Sequence, residues 1–133
     1  MVTDFGGDNR GPELFVLARH AGRLRKLSGK QLKVGAFSLS PNGREIAMEG
    51  SSGSRDWEIY VMHADGSALR QLTDSHAYDV GPQWSPDARR IVFTSYRDGN
   101  AQIYVMNADG SGQTNFSRSH AGDESPTWVP VRR

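Results

Sequence analysis

Apolar residues along this chain fall in short runs separated by Pro, Asp-Gly and Asn-Gly. No 3.6-residue apolar period persists, so little helix is expected. The clearest stretch starts at Gln83-Trp84-Ser85, a first strand closed by Pro86-Asp87-Ala88. Proline has no N–H to give to a ladder and therefore suits a strand end. Arg90 to Ser95 follows as a second strand, rich in β-branched and aromatic residues. Arg97-Asp98-Gly99-Asn100 then reads as a hairpin turn in which Gly supplies the positive φ. Gln102 to Asn107 is a third strand, Ala108-Asp109-Gly110-Ser111-Gly112 a second turn, and Gln113 to Ser117 a fourth strand.

This unit repeats. Ile59-Tyr60-Val61-Met62-His63-Ala64-Asp65-Gly66-Ser67 recurs 44 residues later as Ile103-Tyr104-Val105-Met106-Asn107-Ala108-Asp109-Gly110-Ser111. Trp84-Ser85-Pro86 recurs at the same spacing of 44 as Trp128-Val129-Pro130, and Leu39-Ser40-Pro41 lies 45 before it. The extra residue is expected in a long hairpin loop, Gly50 to Trp57. Weaker copies lie upstream: Leu14-Phe15-Val16-Leu17 sits 45 before Ile59, and Met1-Val2-Thr3-Asp4 sits 45 before Ile46. A period of this length marks a repeat architecture. Three tight hairpins per period favour a four-stranded antiparallel propeller blade over a solenoid with one strand per turn.

The fold expected is therefore all-β: a β-propeller fragment of about three four-stranded antiparallel blades, one of them split between the termini. Residues 1–30 are the C-terminal part of one blade, 34–75 and 79–118 are two whole blades, and 123–131 is the first strand of a further blade. The 133 residues come close to three periods of 44. Two explanations fit that phase. In one, copies join head to tail as a homodimer, giving six blades with closed two-fold symmetry; in the other, the chain belongs to a longer propeller.

Composition removes several classes of chemistry. The net charge of +1 gives no overall bias toward nucleic acid or membrane, and no nucleic-acid partner is expected. Basic residues do cluster: between Leu14 and Arg44 there is no Asp or Glu, while Arg19, Arg23, Arg25, Lys26, Lys30, Lys33 and Arg44 are cationic. That stretch reads as a solvated strand edge, with a phosphate-binding face as the rival. Cysteine is absent, which excludes disulfides and thiolate metal sites. No apolar run approaches the roughly 20 residues of a membrane helix, so membrane insertion is not expected. The N-terminus shows no signal-peptide pattern.

Trp-Ser-Pro-Asp (Trp84 to Asp87), an apolar strand, Arg97-Asp98-Gly99-Asn100 and the Ile103 to Ser111 string together resemble the TolB-type, WD-like propeller repeat. That repeat occurs mainly in bacterial proteins and in the propellers of some serine peptidases. The resemblance is good over Phe37 to Pro130 and moderate over Leu14 to Ser28. Ala88 departs from the family's turn Gly, Leu39 from the Trp of the first strand, and Phe116-Ser117 from the usual Leu-Thr. The resemblance implies a non-enzymatic interaction scaffold whose loops and channel mouth bind a protein or peptide. It equally admits a fragment of the propeller of a prolyl-oligopeptidase-like peptidase, without its catalytic module. Family members are often periplasmic or extracytoplasmic.

Candidate chemistry is sparse. Ser75-His76-Ala77 with Asp79 recurs as Ser119-His120-Ala121 with Asp123, but a triad is defined by spatial roles and not by neighbouring positions. No Gly-x-Ser-x-Gly elbow occurs. The two sets are expected to form inter-blade loops, with Asp79 and Asp123 capping the turn into the next strand. Asp65-Gly66, Asp98-Gly99 and Asp109-Gly110 are expected as backbone turns and not calcium loops. The histidines lack metal-ligand spacing. No cofactor or metal is expected. Trp84, Trp128, Tyr60 and Tyr104, at matched positions, are expected in inter-blade packing. Trp57 and Tyr96, in hairpin loops at unmatched positions, are the better candidates for contact with a partner. His76, Asp79, His120, Asp123 and Glu124 would lie near the mouth.

Overall fold

The structure is a computed structural model that describes residues 2–4, 13–17, 24–26, 32–53 and 56–131. Among these there is no helix. Three antiparallel sheets follow one another along the chain. The first holds β1 (Val2–Asp4), β2 (Glu13–Leu17) and β3 (Leu24–Lys26) in sequence order. The second is the blade β4 (Lys33–Leu39), β5 (Glu45–Ser51), β6 (Glu58–His63) and β7 (Arg70–Gln71). The third is the blade β8 (Asp79–Trp84), β9 (Arg90–Ser95), β10 (Gln102–Asn107) and β11 (Thr114–Asn115). Each strand pairs with its sequence neighbour, as a meander blade requires.

The turns follow directly from side-chain chemistry. Ser40 and Ser85 end the first strands, and each hydroxyl donates to the residue two further on: Ser40 Oγ to Asn42 Oδ1 at 2.7 Å, and Ser85 Oγ to Asp87 Oδ1 at 2.6 Å. The Asp-Gly-Ser turns are closed in the same way. Asp65 Oδ1 accepts from Ser67 N at 2.9 Å, and Asp109 Oδ1 accepts from Ser111 N at 2.9 Å. These carboxylates hold their own backbone, which is the usual role of Asp in turns. Hydrogen bonds from Ser85 and the Arg89 N–H hold the Asp87 carboxyl below its ordinary value; the Ser111 bonds do the same for Asp109.

Strand alternation sorts the core into two layers. Ala47, Ile59 and Val61 face the following blade and meet Trp84, Ile91, Phe93, Tyr104 and Met106. Ile46, Met48, Tyr60 and Met62 point the other way, into a second cluster with Val34. Period-two burial on both faces is what a strand stacked between two sheets must show. Full burial of each such side chain contributes about 1.5–3 kcal/mol.

Two boundaries differ from expectation. The hairpin loop does not begin at Gly50: Gly50 pairs with both Val34 and Glu58, and Ser51 pairs with Lys33. Small residues continue the strand because Leu32 and the Tyr60 ring lie against Gly50, where a Cβ would stand 3.0–3.1 Å from them. The first strand of the third sheet starts at Asp79, earlier than Gln83. A register shift between Val80 and Gln83 hides its alternation, and the matching shift lies between Val34 and Phe37. Gly81, with φ 65°, sits in this bulge.

Candidate functional site

Among the hydrogen bonds that join blade 34–75 to blade 79–118, three recur at the next seam. Asp79 N donates to Trp57 O at 2.7 Å, Gly81 N to Glu49 Oε2 at 2.8 Å, and the Trp84 indole to Ser38 O at 3.1 Å. The same three recur one repeat later. Asp123 N donates to Ala101 O at 2.8 Å, Ser125 N to Thr94 Oγ1 at 3.2 Å, and the Trp128 indole to Gln83 O at 3.2 Å. Residues 123–128 thus dock on the third sheet as a first strand docks on a preceding blade. They form no ladder with any strand among the described residues. Residues 123–128 therefore make the seam bonds of a first strand without its strand pairing.

Beside this segment the outer face of the third sheet is open. A groove of about 570 Å³ runs between Val92, Ile103, Val105, Phe116 and Trp128. Ile103 and Val105 correspond to Ile59 and Val61, which are wholly buried under the next blade. Phe116 is 76% exposed and Val131 87%. The groove is a blade-docking face. None of the residues expected to meet a partner lines it.

Those residues lie at the seam and its rim. Tyr78, half exposed, packs edge-on against Tyr96 with ring centroids 6.3 Å apart. The Tyr96 hydroxyl donates to Glu124 at 2.6 Å. That bond and burial raise the Tyr96 phenol above its ordinary value. His76 and His120 are exposed, Asp123 is half-buried, and Trp57 is half-buried just before β6. The structure therefore gathers Tyr96 and Glu124 and adds Tyr78, which the sequence reading did not single out. Its aromatic character with no counterpart in the next repeat, where Gly122 stands, was the available signal.

Asp79 requires a correction. It is wholly buried and cannot present itself to a partner. Its Oδ2 accepts from Arg97 Nη2 at 2.9 Å. The Arg97 guanidinium also lies 4.5 Å from the Tyr104 ring centroid, a cation–π contact. Breaking such a buried pair costs about 3–5 kcal/mol, so the Asp79 carboxylate anchors β8 within its own blade while its N–H holds the seam. The Ser75/His76/Asp79 set is accordingly not a triad: the carboxylate serves Arg97, and Ser75 Oγ is buried with no partner. In the second set, Ser119 Oγ accepts from Ala121 N at 3.1 Å.

Comparisons with known proteins agree with this architecture. The chain is 32% identical over 100 residues to the protein TolB homolog of Chlorobium luteolum, covering 75% of this chain and 22% of that protein. It is 32% identical over 75 residues to dipeptidyl-peptidase 5 of Porphyromonas endodontalis, covering 53% of this chain and 11% of that one. The solved structure of a TolB from Agrobacterium tumefaciens superposes with a TM-score of 0.81 at 29% identity, over 93% of this chain and 44% of its own. The chain thus spans less than half the length of these relatives. The family model for the TolB beta propeller domain matches residues 3–132. With its paired blades and repeated seam, this chain belongs to the TolB β-propeller domain family.

Proposed function

We propose that the chain is a non-enzymatic protein-interaction scaffold that takes a protein or peptide at the rim built by Tyr78, Tyr96 and Glu124. One observation carries the reading. The polar groups that repeat between blades are spent on turns and seams, whereas this exposed aromatic and acidic cluster has no repeated counterpart. Repetition serves the scaffold, and an unrepeated, solvent-facing aromatic pair suits recognition. His76, His120 and Asp123 flank it; Trp57 lies one seam bond away, its carbonyl held by Asp79 N. The test is selection of a random-peptide library on the immobilised chain, with affinities measured for the peptides recovered. Saturable binding that falls at least about tenfold in Y96A and E124A, with the peptide left intact, is the expected result. Failure to recover any saturable peptide refutes the scaffold reading, and cleavage of the peptide refutes its non-enzymatic part.

The open groove is covered by another TolB-type blade, and a second copy of the chain supplies one. Light scattering across a concentration series should then show a discrete dimer; a monomer at all concentrations would end that part of the proposal. The likeness to dipeptidyl-peptidase 5 favours a second reading, a peptidase propeller segment that gates a catalytic module carried elsewhere. It predicts that the peptides recovered are substrates of such a module.

A further inference from the structure

Two carboxyl groups meet inside the seam. Glu58, on β6, is 5% exposed. Its Oε2 accepts from the Thr73 hydroxyl at 2.6 Å and its Oε1 from Ser75 N at 3.1 Å. Asp79, on β8 of the next blade, adjoins it, close enough that its charge raises the Glu58 carboxyl. Arg97 satisfies Asp79 Oδ2, but Oδ1 is buried and has no donor when both acids are ionised. Ionised carboxylates only accept. Two of them in contact repel, and a buried acceptor left without a donor is costly.

The neighbouring repeat shows what this position is built to hold. Glu58 corresponds to Gln102, 44 residues on. Thr73 Oγ1 accepts from Ile59 N at 2.9 Å and donates to Glu58; Ser117 Oγ accepts from Ile103 N at 2.9 Å and donates to Gln102 Oε1. Ser75 N bonds Glu58 Oε1, and Ser119 N bonds Gln102 Oε1 at 2.8 Å. Gln102 then uses its amide to donate, to Asn100 Oδ1 at 3.0 Å and to Ser119 O. At Gln102 the pocket thus holds a neutral group that accepts with Oε1 and donates with its amide. At Glu58 both oxygens accept, and a protonated carboxyl keeps both of those bonds while adding one donor.

We propose that Glu58 is protonated in the folded chain and donates its carboxyl proton to Asp79 Oδ1, forming an acid–carboxylate latch between the two blades. The proton supplies the donor that Oδ1 lacks, and Arg97 neutralises the one remaining charge. Burial raises the Glu58 carboxyl above its ordinary value, the Asp79 charge adds to this, and the Thr73 bond opposes it. The groups that face the pair are Thr73 and Ser75 after β7, Gly50 on β5, and Arg97 after β9; Asp74 and His76 point to solvent. Since the folded chain holds this proton more tightly than the unfolded chain, stability falls as pH rises from the unfolded glutamate value through the raised one. Above that, the proton is in solvent and two carboxylates share one guanidinium.

The test is a side-chain carboxyl ¹³C NMR titration of the labelled chain, with Glu58 assigned through bonds to its own backbone. Glu58 should titrate above the other glutamates, and this titration should be missing from E58Q. The unfolding free energy of the wild type should decline over the same pH span while that of E58Q stays level. A Glu58 that titrates with the ordinary glutamates, or parallel stability profiles for the two proteins, overturns the proposal. If E58Q does not fold, the wild-type titration decides alone.

Discussion

The two docking tryptophans do the same job at a covered seam and at an open one, so replacing them should cost different amounts. Trp84 is 6% exposed and packs within the cluster of Ile59, Val61, Ile91 and Phe93. W84A removes that side chain, leaves a cavity, and strips the Ser38 carbonyl of its indole donor. A buried Trp→Ala change costs about 3–5 kcal/mol. Trp128 makes the matching bond to Gln83 O but borders the open groove and is only half-buried. Half the transfer energy of a large apolar side chain gives about 1 kcal/mol for W128A. Urea unfolding followed by far-ultraviolet circular dichroism reads both. With a slope near about 2 kcal/mol/M, W84A should lower the midpoint by about 2 M and W128A by about 0.5 M. Equal losses at concentrations where the chain is monomeric would refute the difference in burial. A W128A loss as large as that of W84A, at concentrations where the chain is a dimer, would mean that the groove is filled in solution.

Three further predictions follow from single positions. Ala88 holds φ 58° in the turn where Gly43 holds φ 71°; A88G relieves a left-handed strain of about 1–2 kcal/mol and gives back part of it as unfolded-chain entropy, so thermal unfolding should show a net gain of about 0.5–1 kcal/mol. A Cβ on Gly35 would strike the Glu49 carboxylate, whose other oxygen holds Gly81 N; G35A should cost about 1–3 kcal/mol in denaturant unfolding, and much less when made in an E49A background. Burial, with the hydrogen bond to Asp98, pushes the Tyr104 phenol up to about 12; in an ultraviolet alkaline titration the last tyrosine step should vanish in Y104F, and wild-type stability should fall as pH rises from about 10 toward that value because the folded chain keeps the proton.

Repeats made the architecture legible. The Ile-Tyr-Val-Met string and the Trp-Ser-Pro motif fixed strand order, turn positions and the inter-blade role of Trp84 before any coordinate was needed, because each states a local rule that the next copy checks. What stayed hidden was non-local or unrepeated. The Asp79–Arg97 bond joins an acid that recurs as Asp123 to an arginine whose place one repeat earlier is held by Ser52 and Gly53, so the sequence showed an acid near the mouth and not a buried pair. Glu58 carries no signal in the sequence, because the residues that close around it, Thr73, Ser75 and Asp79, are distant along the chain. The bulge at Gly81-Pro82 broke the alternation that would have placed the start of β8. Expected partner residues were assigned by loop position, which left Tyr96 and Glu124 in separate groups that the structure joins and placed the buried Asp79 at the surface.

Matching the two seams position by position shows how one backbone scheme gives two electrostatic behaviours. The clamp on the incoming strand is Glu49 at the first seam and Thr94 at the second. The acceptor beneath the Thr73 or Ser117 hydroxyl is Glu58 at the first and Gln102 at the second. Both substitutions exchange a carboxyl for a neutral group while keeping its hydrogen bonds. The first seam therefore buries Glu58 and Asp79 beside Arg97, whereas the second keeps its Tyr96–Glu124 bond at the exposed rim. Salt and solvent screen a pair at the rim; a buried seam in which two acids share one guanidinium must respond to proton activity. The joint that opens first as pH rises should thus be the better-packed one between blades 34–75 and 79–118, because its apolar contacts are larger but its charges balance only while Glu58 keeps its proton.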